Sequence, residues 1–476
     1  MGLVKVEDFG SRIDRLSARN FIHLVPNSVY GSQLFLVFVT FFVLSTSTFV
    51  MAEENKHLTA VLQGNGLFTR NAYQILAQEK GKNIFFSPIS IHAILSLASQ
   101  GSGGKTQKAF TSALQVADIA TLAEGYKAAM LKLNSVEDVT LLMANKVYLK
   151  NEYELKDEFK DKVVNHFFSE VQNIDFSQSA AAAKTINTWV EEKTKDKIKD
   201  LIQPADLDAL TRLVLVNAIY FKGKWAAPFK PEDTKTEKFY LNNNDSIDVQ
   251  MMHTKKKFFF KNDEALDAKV LELPYTNKDL SMIVILPNKR DGINELELKL
   301  ANTDLTKITE NMFRPDVIVA LPKFKIETTI DLEAPLTKLG LGVIFSDNAD
   351  FSGMLKSPEE LKVSKVIHKA FIEVNEEGAE AAAATEIMIL ADCLFIEPDP
   401  EEFIAEHTFL IILQHTDAES QESNILFHVM GIAVGGCILV RDPELFIADH
   451  SFVILLQNTA QNFTIFAAKI ENPNIF

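Results

Sequence analysis

Cysteine is nearly absent from this chain of 476 residues, which contains only Cys393 and Cys437. Both lie late in the sequence, so no disulfide framework can hold the body of the protein together. A hydrophobic core must do so instead, and a chain of this length can bury a large one. Hydrophobic residues make up 47% of the chain and charged residues 24%, which is typical of a globular protein.

Basic residues are in deficit, with 48 Lys+Arg against 64 Asp+Glu and a net charge of −16. Such a charge repels phosphate backbones and anionic lipid headgroups, so we expect no nucleic-acid partner. The one compact basic run is Lys255–Lys257. We interpret it as a solvated strand end or turn.

Motifs of catalytic and metal sites are also missing. The sequence has no GxSxG, no HExxH and no cysteine or histidine pair at metal-binding spacing. We therefore expect neither an enzyme nor a bound metal or cofactor. A hydrolase with Ser87 as nucleophile and His368 as base is the enzymatic alternative that composition leaves open.

The N-terminal segment 1–52 differs from the rest of the chain. It has no Asp, Glu, Lys or Arg between Asn20 and Ala52, and residues 34–44 are strongly apolar. This run is short for a membrane span but fits the apolar region of a signal peptide, with a small-residue cleavage site before Glu53. The sequence thus predicts a secreted, extracellular protein. The long stretch ahead of the run leaves one alternative, a signal-anchor in which residues 34–50 stay in the membrane.

Helical and strand patterns are distributed unevenly along the chain. Phe68, Ala72 and Leu76 share one face of a predicted helix, whereas Leu213–Phe221 and Met282–Leu286 are short apolar runs of strand type. Helices cluster early and strands late. This order indicates an α+β fold with a large, largely antiparallel sheet.

One segment is repeated near the C-terminus. FIAEHTFLIILQ at 403–414 recurs as FIADHSFVILLQ at 446–457, with eight identities in twelve positions and a spacing of 43 residues. Two copies are too few for a solenoid. We interpret them as two versions of one C-terminal cassette.

Residues 374–385, VNEEGAEAAAAT, contain a run of small side chains from Gly378 onward that only Glu380 interrupts. Alanine-rich stretches usually indicate a helix or a linker. Small residues also allow a segment to enter a sheet between two strands, where bulky or charged groups would clash or remain unpaired. Gly378 would give the backbone freedom at the start of such a segment.

Several longer motifs follow one another along residues 53–431. They are NIFFSPISI at 83–91, INTWVEEKTKDKI at 186–198, LVNAIYFKGKWAAPF at 215–229, VALPKFKIETTIDL at 319–332, LGLGVIFSDNADFSG at 339–353 and LKVSKVIHKAFIEVNEEGAEAAAAT at 361–385. In this order they resemble the serpin family, and most of all the serpins of insects and other arthropods with alternative C-terminal reactive-loop cassettes.

The resemblance implies an α+β serpin fold with a large central antiparallel-rich sheet, additional sheets, about nine helices and an exposed reactive-centre loop. It also implies a suicide-substrate trap. A serine protease cleaves the loop, is held as a covalent acyl complex, and is dragged across the molecule as the loop inserts as an extra strand. The alternatives are a non-inhibitory secreted serpin that acts as carrier or storage protein, and a membrane-tethered serpin-like surface protein.

The resemblance also assigns site residues. The breach, where insertion starts, contains Trp225, and the polar shutter beneath the sheet contains Ser87, Ser90, Asn217 and His368. The hinge comprises Glu376, Glu377, Gly378, Ala379, Glu380, Ala381, Ala382, Ala383, Ala384 and Thr385.

The position of the reactive bond depends on how it is counted. Counting from Glu376 at the family's spacing places it at Asp392-Cys393, whereas counting back from the strand at Phe403 places it nearer Glu397. We favour Asp392-Cys393, because the length of the inserted strand fixes it mechanically.

Only one of the two cassettes can complete the sheet. We expect residues 403–431 to do so, because they give normal spacing to the hinge, so the serpin domain spans 53–431 and residues 432–476 are a duplicated tail.

Asn244 and Asn462 begin glycosylation sequons. We expect a monomer whose partner is its target serine protease.

Overall fold

The computed structural model describes residues 56–78, 82–134, 139–357, 360–379, 409–416, 423–431, 443–461 and 463–475. The predicted signal segment 34–44, the hinge residues 380–385, the predicted reactive bond at Asp392-Cys393 and the sequon residue Asn462 lie outside these ranges.

Helices and strands alternate irregularly along the described chain. The α-helices are α1 (56–76), α2 (Pro88–Ser99), α3 (Gly104–Leu114), α4 (Ile119–Asn134), α5 (Asp157–Asn165), α6 (Ser179–Lys193), α7 (Ile293–Leu300) and α8 (Glu333–Leu336). The strands are β1 (Ile84–Phe86), β2 (Val139–Lys150), β3 (Glu170–Ile174), β4 (Leu213–Lys224), β5 (Lys235–Tyr240), β6 (Ser246–Lys257), β7 (Phe259–Asp263), β8 (Ala268–Pro274), β9 (Leu280–Pro287), β10 (Asp316–Pro322), β11 (Phe324–Asp331), β12 (Lys365–Asn375), β13 (Gly378–Ala379), β14 (Phe409–Thr416), β15 (Ser423–Gly431), β16 (Glu444–Ile447), β17 (Phe452–Asn458) and β18 (Phe463–Ile470).

The central sheet has the strand order β11-β12-β13-β4-β2-β3. Its middle strand β4 is a nearly continuous apolar run that is buried along most of its length, as expected for a strand covered on both faces. Strands β4 and β12 pair in parallel, and β4 pairs with β2 antiparallel. The sheet is therefore mixed. The shortest of its described strands is the two-residue β13, which lies between the C-terminal ends of β4 and β12.

Two helices cover the two faces of the central sheet. Every residue of α2 is buried; Ser87 caps its N-terminus and Pro88 occupies its first turn, where a missing N–H is harmless. On the opposite face α6 buries Ile186 and Val190 against a cluster that includes Tyr220. Functional groups on β4 or β12 thus face either α2 or α6.

Two further sheets complete the body. The second sheet has the order β1-β18-β17-β9-β8-β7, and the third has the order β16-β10-β6-β5. Lys255–Lys257 form the end of β6 and are partly or fully exposed, which agrees with a solvated strand end. The α+β fold with a large central sheet and additional sheets is confirmed, with eight α-helices in the described residues where about nine were expected.

The second cassette, not the first, completes the sheets. Strand β16 pairs with β10, β17 pairs with β9, and β18 pairs with β1. The prediction that residues 403–431 would occupy this place is therefore wrong for this structure. Strands β14 and β15 of the first cassette pair only with each other among the described residues. The domain limits 53–431 and 432–476 stay a prediction.

Side-chain complementarity explains why the second cassette is preferred over the first. Lys469 on β18 is 1% exposed and forms ion pairs with Glu297 at 3.4 Å and Glu471 at 3.0 Å. The corresponding residue of the first cassette is Met430, because Met430 pairs with Leu410 as Lys469 pairs with Val453. A methionine at this place would leave Glu297 without the cation. A partly buried carboxylate that loses its partner is destabilising. The number of residues between the hinge and a cassette says nothing about such ion pairs. The prediction that was based on this number was therefore wrong.

Candidate functional site

The candidate site is the place where β4 and β12 separate. Residues 365–371 of β12 pair directly with residues 214–220 of β4. Further along, β13 lies between them: Gly378 pairs with Asn375 on one side and Lys224 on the other, and the neighbouring position 379 is in register with Val374 and Gly223. The start of the predicted hinge is thus already a short strand inside the central sheet.

Gly378 cannot be replaced without moving the backbone. Its φ is +143°, a conformation that side chains disfavour. A Cβ atom at this position would lie 2.1 Å from the carbonyl oxygen of Gly223 and 2.8 Å from Cα of Lys224. The backbone of β13 therefore approaches β4 as closely as it does only because residue 378 is glycine.

Trp225 holds the separated ends of β4 and β12 together. Its indole Nε1 donates to the carbonyl of Asn375 at 3.0 Å, and its backbone N–H donates to the carbonyl of Glu377 at 2.8 Å. Its ring stacks on Tyr275 with a centroid separation of 4.6 Å and an interplanar angle of 15°. Trp225, the predicted breach residue, thus contacts the chain at Asn375 and Glu377, at the turn that starts the hinge.

Glu376 anchors the same turn to two residues that lie next to the ends of strands β5 and β10. Its carboxylate accepts from Thr234 at 2.8 Å and forms an ion pair with Lys323 at 2.8 Å. Although burial opposes ionisation, the hydrogen bonds from Lys323 and Thr234 hold the pKa of Glu376 below its ordinary value. The carboxylate is therefore charged at neutral pH and fixes the chain just before it enters the sheet.

The four predicted shutter residues form one buried hydrogen-bonded cluster beneath the sheet. The backbone N–H of Ser87 donates to Nε2 of His368 at 3.0 Å, so the ring proton lies on Nδ1, which donates to Oδ1 of Asn217. Asn217 donates in turn to the carbonyl of Ser90 at 3.0 Å and to Asn145. The cluster joins α2 to β4, β12 and β2. It therefore crosses the line along which β4 and β12 would part.

The geometry of Ser87 and His368 does not suit catalysis. The hydroxyl of Ser87 donates to the carbonyl of Ile465 at 2.7 Å, while His368 accepts from the backbone N–H and not from the hydroxyl. Both residues are fully buried. A nucleophile must be within hydrogen-bond reach of its base and open to substrate, so this pair does not support the hydrolase alternative.

Burial makes two histidines sensitive to acid. Burial lowers the pKa of His368 from 6.5 to about 3 and that of His92 from 6.5 to about 4. Because the unfolded chain takes up these protons near pH 6.5 and the folded chain does not, their stabilisation is complete above pH 6.5 and decreases as the pH falls toward the folded pKa values.

We therefore expect the free energy of unfolding to fall between pH 7 and pH 5 by about 2 kcal/mol for each of the two histidines. Urea midpoints at the two pH values measure this loss. The variant His368→Gln should show about half of the pH dependence, whatever its stability at pH 7. An unchanged pH dependence in this variant would contradict the assignment.

Several residues of the site were not predicted from the sequence. Tyr275 and Asn375 complete the surroundings of Trp225, Lys323 and Thr234 bind Glu376, and Asn145 extends the polar cluster. Each of these contacts joins elements far apart in the chain, and no local pattern marks them. The roles of the shutter, breach and hinge residues stay predictions.

Within the described ranges, no group of three or more His, Cys, Asp or Glu side chains could hold a metal ion. No described helix is both long enough and apolar enough to cross a membrane.

The central sheet thus contains residues 378–379, at the start of an alanine-rich stretch of the sequence, as a two-residue strand between β12 and β4. The serpin family model, described as serine protease inhibitor, matches residues 63–428. The chain belongs to the serpin family. The expectation of an inhibitor-type protein and not an enzyme is thereby confirmed at the level of the family.

Related proteins agree with this assignment. The chain is 39% identical over 353 residues to a leukocyte elastase inhibitor of Bos taurus, covering 72% of this chain and 91% of that protein. It is 37% identical over 361 residues to antichymotrypsin-2 of Bombyx mori, covering 75% and 96%. Among solved structures, Serpin48 of the insect Tenebrio molitor matches with a TM-score of 0.71 and 31% identity, covering 88% of this chain and 99% of that one.

Proposed function

We propose that this chain is an inhibitory serpin, which traps a serine protease by inserting its cleaved loop between β4 and β12. The observation that carries the proposal is β13, because Gly378 and Ala379 are already paired with both strands. The next residues, 380–385, are small apart from Glu380. Further insertion therefore extends pairing that has begun and adds backbone hydrogen bonds and buried surface.

The surroundings of β13 support an opening of the sheet at this point. Residues 365–371 of β12 pair directly with residues 214–220 of β4. The hydrogen bond between Asn217 and His368 also joins these two strands, on the side that α2 covers. Insertion would require this pairing and this bond to break and new ones to form on the inserted strand. A polar cluster can make that exchange, whereas an apolar contact cannot offer new hydrogen bonds.

The target is proposed only as a class, a serine protease, with Asp392-Cys393 as the bond that it attacks. Asp392 as the primary residue would suit a protease with a basic pocket, whereas cleavage beside Leu390 or Ala391 would suit an elastase-like one. The two relatives named above are an elastase inhibitor and an antichymotrypsin. A panel of serine proteases with these different primary specificities should therefore be tested first.

Two measurements test the trap. Incubation with the target should give a complex that survives SDS, because the protease remains bound as an acyl-enzyme. Cleavage of the loop should raise the melting temperature, since the inserted strand completes the central sheet. If every protease that cuts the loop leaves the melting temperature unchanged, insertion does not occur and a carrier or storage function is favoured instead.

We further propose that the protein is secreted after removal of residues 1–52. The apolar run 34–44 supports this proposal, as does Asn244, which is exposed in the turn between β5 and β6 where a glycan could be attached. The first residue of protein recovered from the culture medium should be Glu53. Cell-bound protein that retains residues 34–50 would favour the tethered alternative.

A further inference from the structure

The spare first cassette has the same strand pairing as the cassette that completes the second sheet. Strand β14 pairs with β15 from Phe409↔Gly431, and β17 pairs with β18 from Phe452↔Ile470. Both hairpins shift register at the equivalent step, between Leu413 and Gln414 in the first and between Leu456 and Gln457 in the second. The two hairpins therefore present corresponding residues at corresponding places.

We call the place that β17–β18 occupies between β9 and β1 the hairpin slot. Phe466 is seated there by stacking on Phe85, with ring centroids 5.0 Å apart and an interplanar angle of 8°. Gln457 donates to the carbonyl of Leu305 at 3.0 Å. The hydroxyl of Ser87 donates to the backbone carbonyl of Ile465 at 2.7 Å, a contact that does not depend on the side chain at position 465.

The first cassette retains the residues that make these contacts. Phe427 pairs with Leu413 as Phe466 pairs with Leu456, and Gln414 corresponds to Gln457. His407 likewise corresponds to His450, which hydrogen-bonds the carbonyl of Pro287 at 2.8 Å. The first cassette therefore has the groups needed to enter the hairpin slot.

Other positions favour the second cassette. Lys469, with its two ion pairs, corresponds to Met430, and the fully buried Ala467 corresponds to His428. An imidazole in place of a methyl group would overfill a packed core. The first cassette can thus enter the slot, but less favourably than the second.

We propose that the hairpin slot has two occupants, with residues 409–431 exchanging for residues 452–470 within one chain. If the proposed function holds, the exchange changes the length of the segment from which the protease-trapping loop is drawn.

With the second cassette in the slot, the segment between β13 and β16 comprises residues 380–443, which is 443 − 380 + 1 = 64 residues. With the first cassette in the slot, Glu401 takes the place of Glu444, and the segment 380–400 has 400 − 380 + 1 = 21 residues.

A double-mutant cycle on the full chain tests the exchange, with backbone hydrogen exchange as the readout. Phe466→Ala removes a stacked, buried ring from the second cassette, and Phe427→Ala is its matched control in the first. In the unmodified protein, amides of 453–456 should be protected and those of 410–413 should exchange fast, since an isolated two-stranded hairpin is marginally stable.

Phe466→Ala should shift the occupancy ratio toward the first cassette by roughly a hundredfold or more, so protection should appear at 410–413. Phe427→Ala alone should change nothing. The double variant should lose protection in both hairpins and be less stable than the sum of the single effects predicts. These hydrogen-exchange results do not depend on the proposed inhibitory function, because the experiment contains no protease. The exchange of cassettes can therefore be confirmed or rejected even if the protein traps no protease.

A stabilising variant covers the case in which Phe466→Ala unfolds the protein. The double substitution His428→Ala with Met430→Lys gives the first cassette the residues that Ala467 and Lys469 provide in the second. Protection of amides 410–413 against hydrogen exchange should then increase at least tenfold. The proposal is overturned if amides 410–413 exchange at the same rate in every folded variant, including this one.

Discussion

Ala379→Arg should convert the protein from a trap into an ordinary substrate of its target protease. Position 379 pairs with Val374, a 1% exposed core residue, and with Gly223 in the sheet. An arginine at this core-facing position must lose its hydration for β13 to stay paired between β4 and β12, at a cost of several kcal/mol, so the paired start from which insertion extends is lost. Insertion then becomes slower than hydrolysis of the acyl-enzyme.

The expected loss is roughly two orders of magnitude or more in the ratio of trapped to hydrolysed enzyme, because each 1.36 kcal/mol changes a rate tenfold. The measurement is the amount of inhibitor needed to inactivate one equivalent of protease, together with the yield of SDS-stable complex. Cleavage of the loop itself should continue at a normal rate, since the reactive bond is unchanged.

Glu380→Arg is the matched control for this variant. Successive residues of a strand face opposite sides of the sheet, so position 380 belongs to the other face. It already carries a charge in the natural sequence. This variant should therefore trap protease nearly as well as the unmodified protein. Equal trapping by both arginine variants would show that the pairing of position 379 with β4 and β12 is not needed for insertion.

Trp225→Ala should cause the largest loss of stability that we expect from a single substitution in the site. The indole is 3% exposed, stacks on Tyr275 and donates to the carbonyl of Asn375. Removing a buried aromatic side chain of this size leaves a cavity and costs about 3–5 kcal/mol. It also leaves the Asn375 carbonyl without its donor, directly beside the turn that leads into β13.

Trp189 provides the control, because it is the only other tryptophan of the chain and is partly exposed on α6. Trp189→Ala should cost about 1–2 kcal/mol, since less apolar surface is lost. Each variant keeps a single tryptophan, so fluorescence-detected urea unfolding reports from the remaining one. Similar losses for the two variants would contradict the special position of Trp225.

The run of small residues after Gly378 could be recognised from residue type alone. Trp225 and His368 were assigned by the resemblance to the serpin family, which also needs no coordinates. The structure then placed Ser87, Ser90, Asn217 and His368 within one hydrogen-bonded cluster.

Two features could not be predicted, for different physical reasons. The early insertion of β13 depends on a backbone conformation, φ of +143° at Gly378, and on the close approach of Gly223. The choice of the second cassette depends on pairing between distant residues, above all Lys469 with Glu297. Strand spacing along the chain could be read from the sequence, but the partner of a buried charge could not.

If the proposed bond is cut, the pairing of β16, β17 and β18 with β10, β9 and β1 should determine how the protein comes apart. A cut at Asp392-Cys393 divides the polypeptide into two pieces, and the smaller has 476 − 392 = 84 residues. Strand pairing keeps that piece attached in the native protein, so gel filtration alone would detect no loss of mass. Only denaturation separates the pieces, and the size of the released peptide then identifies the bond that was broken.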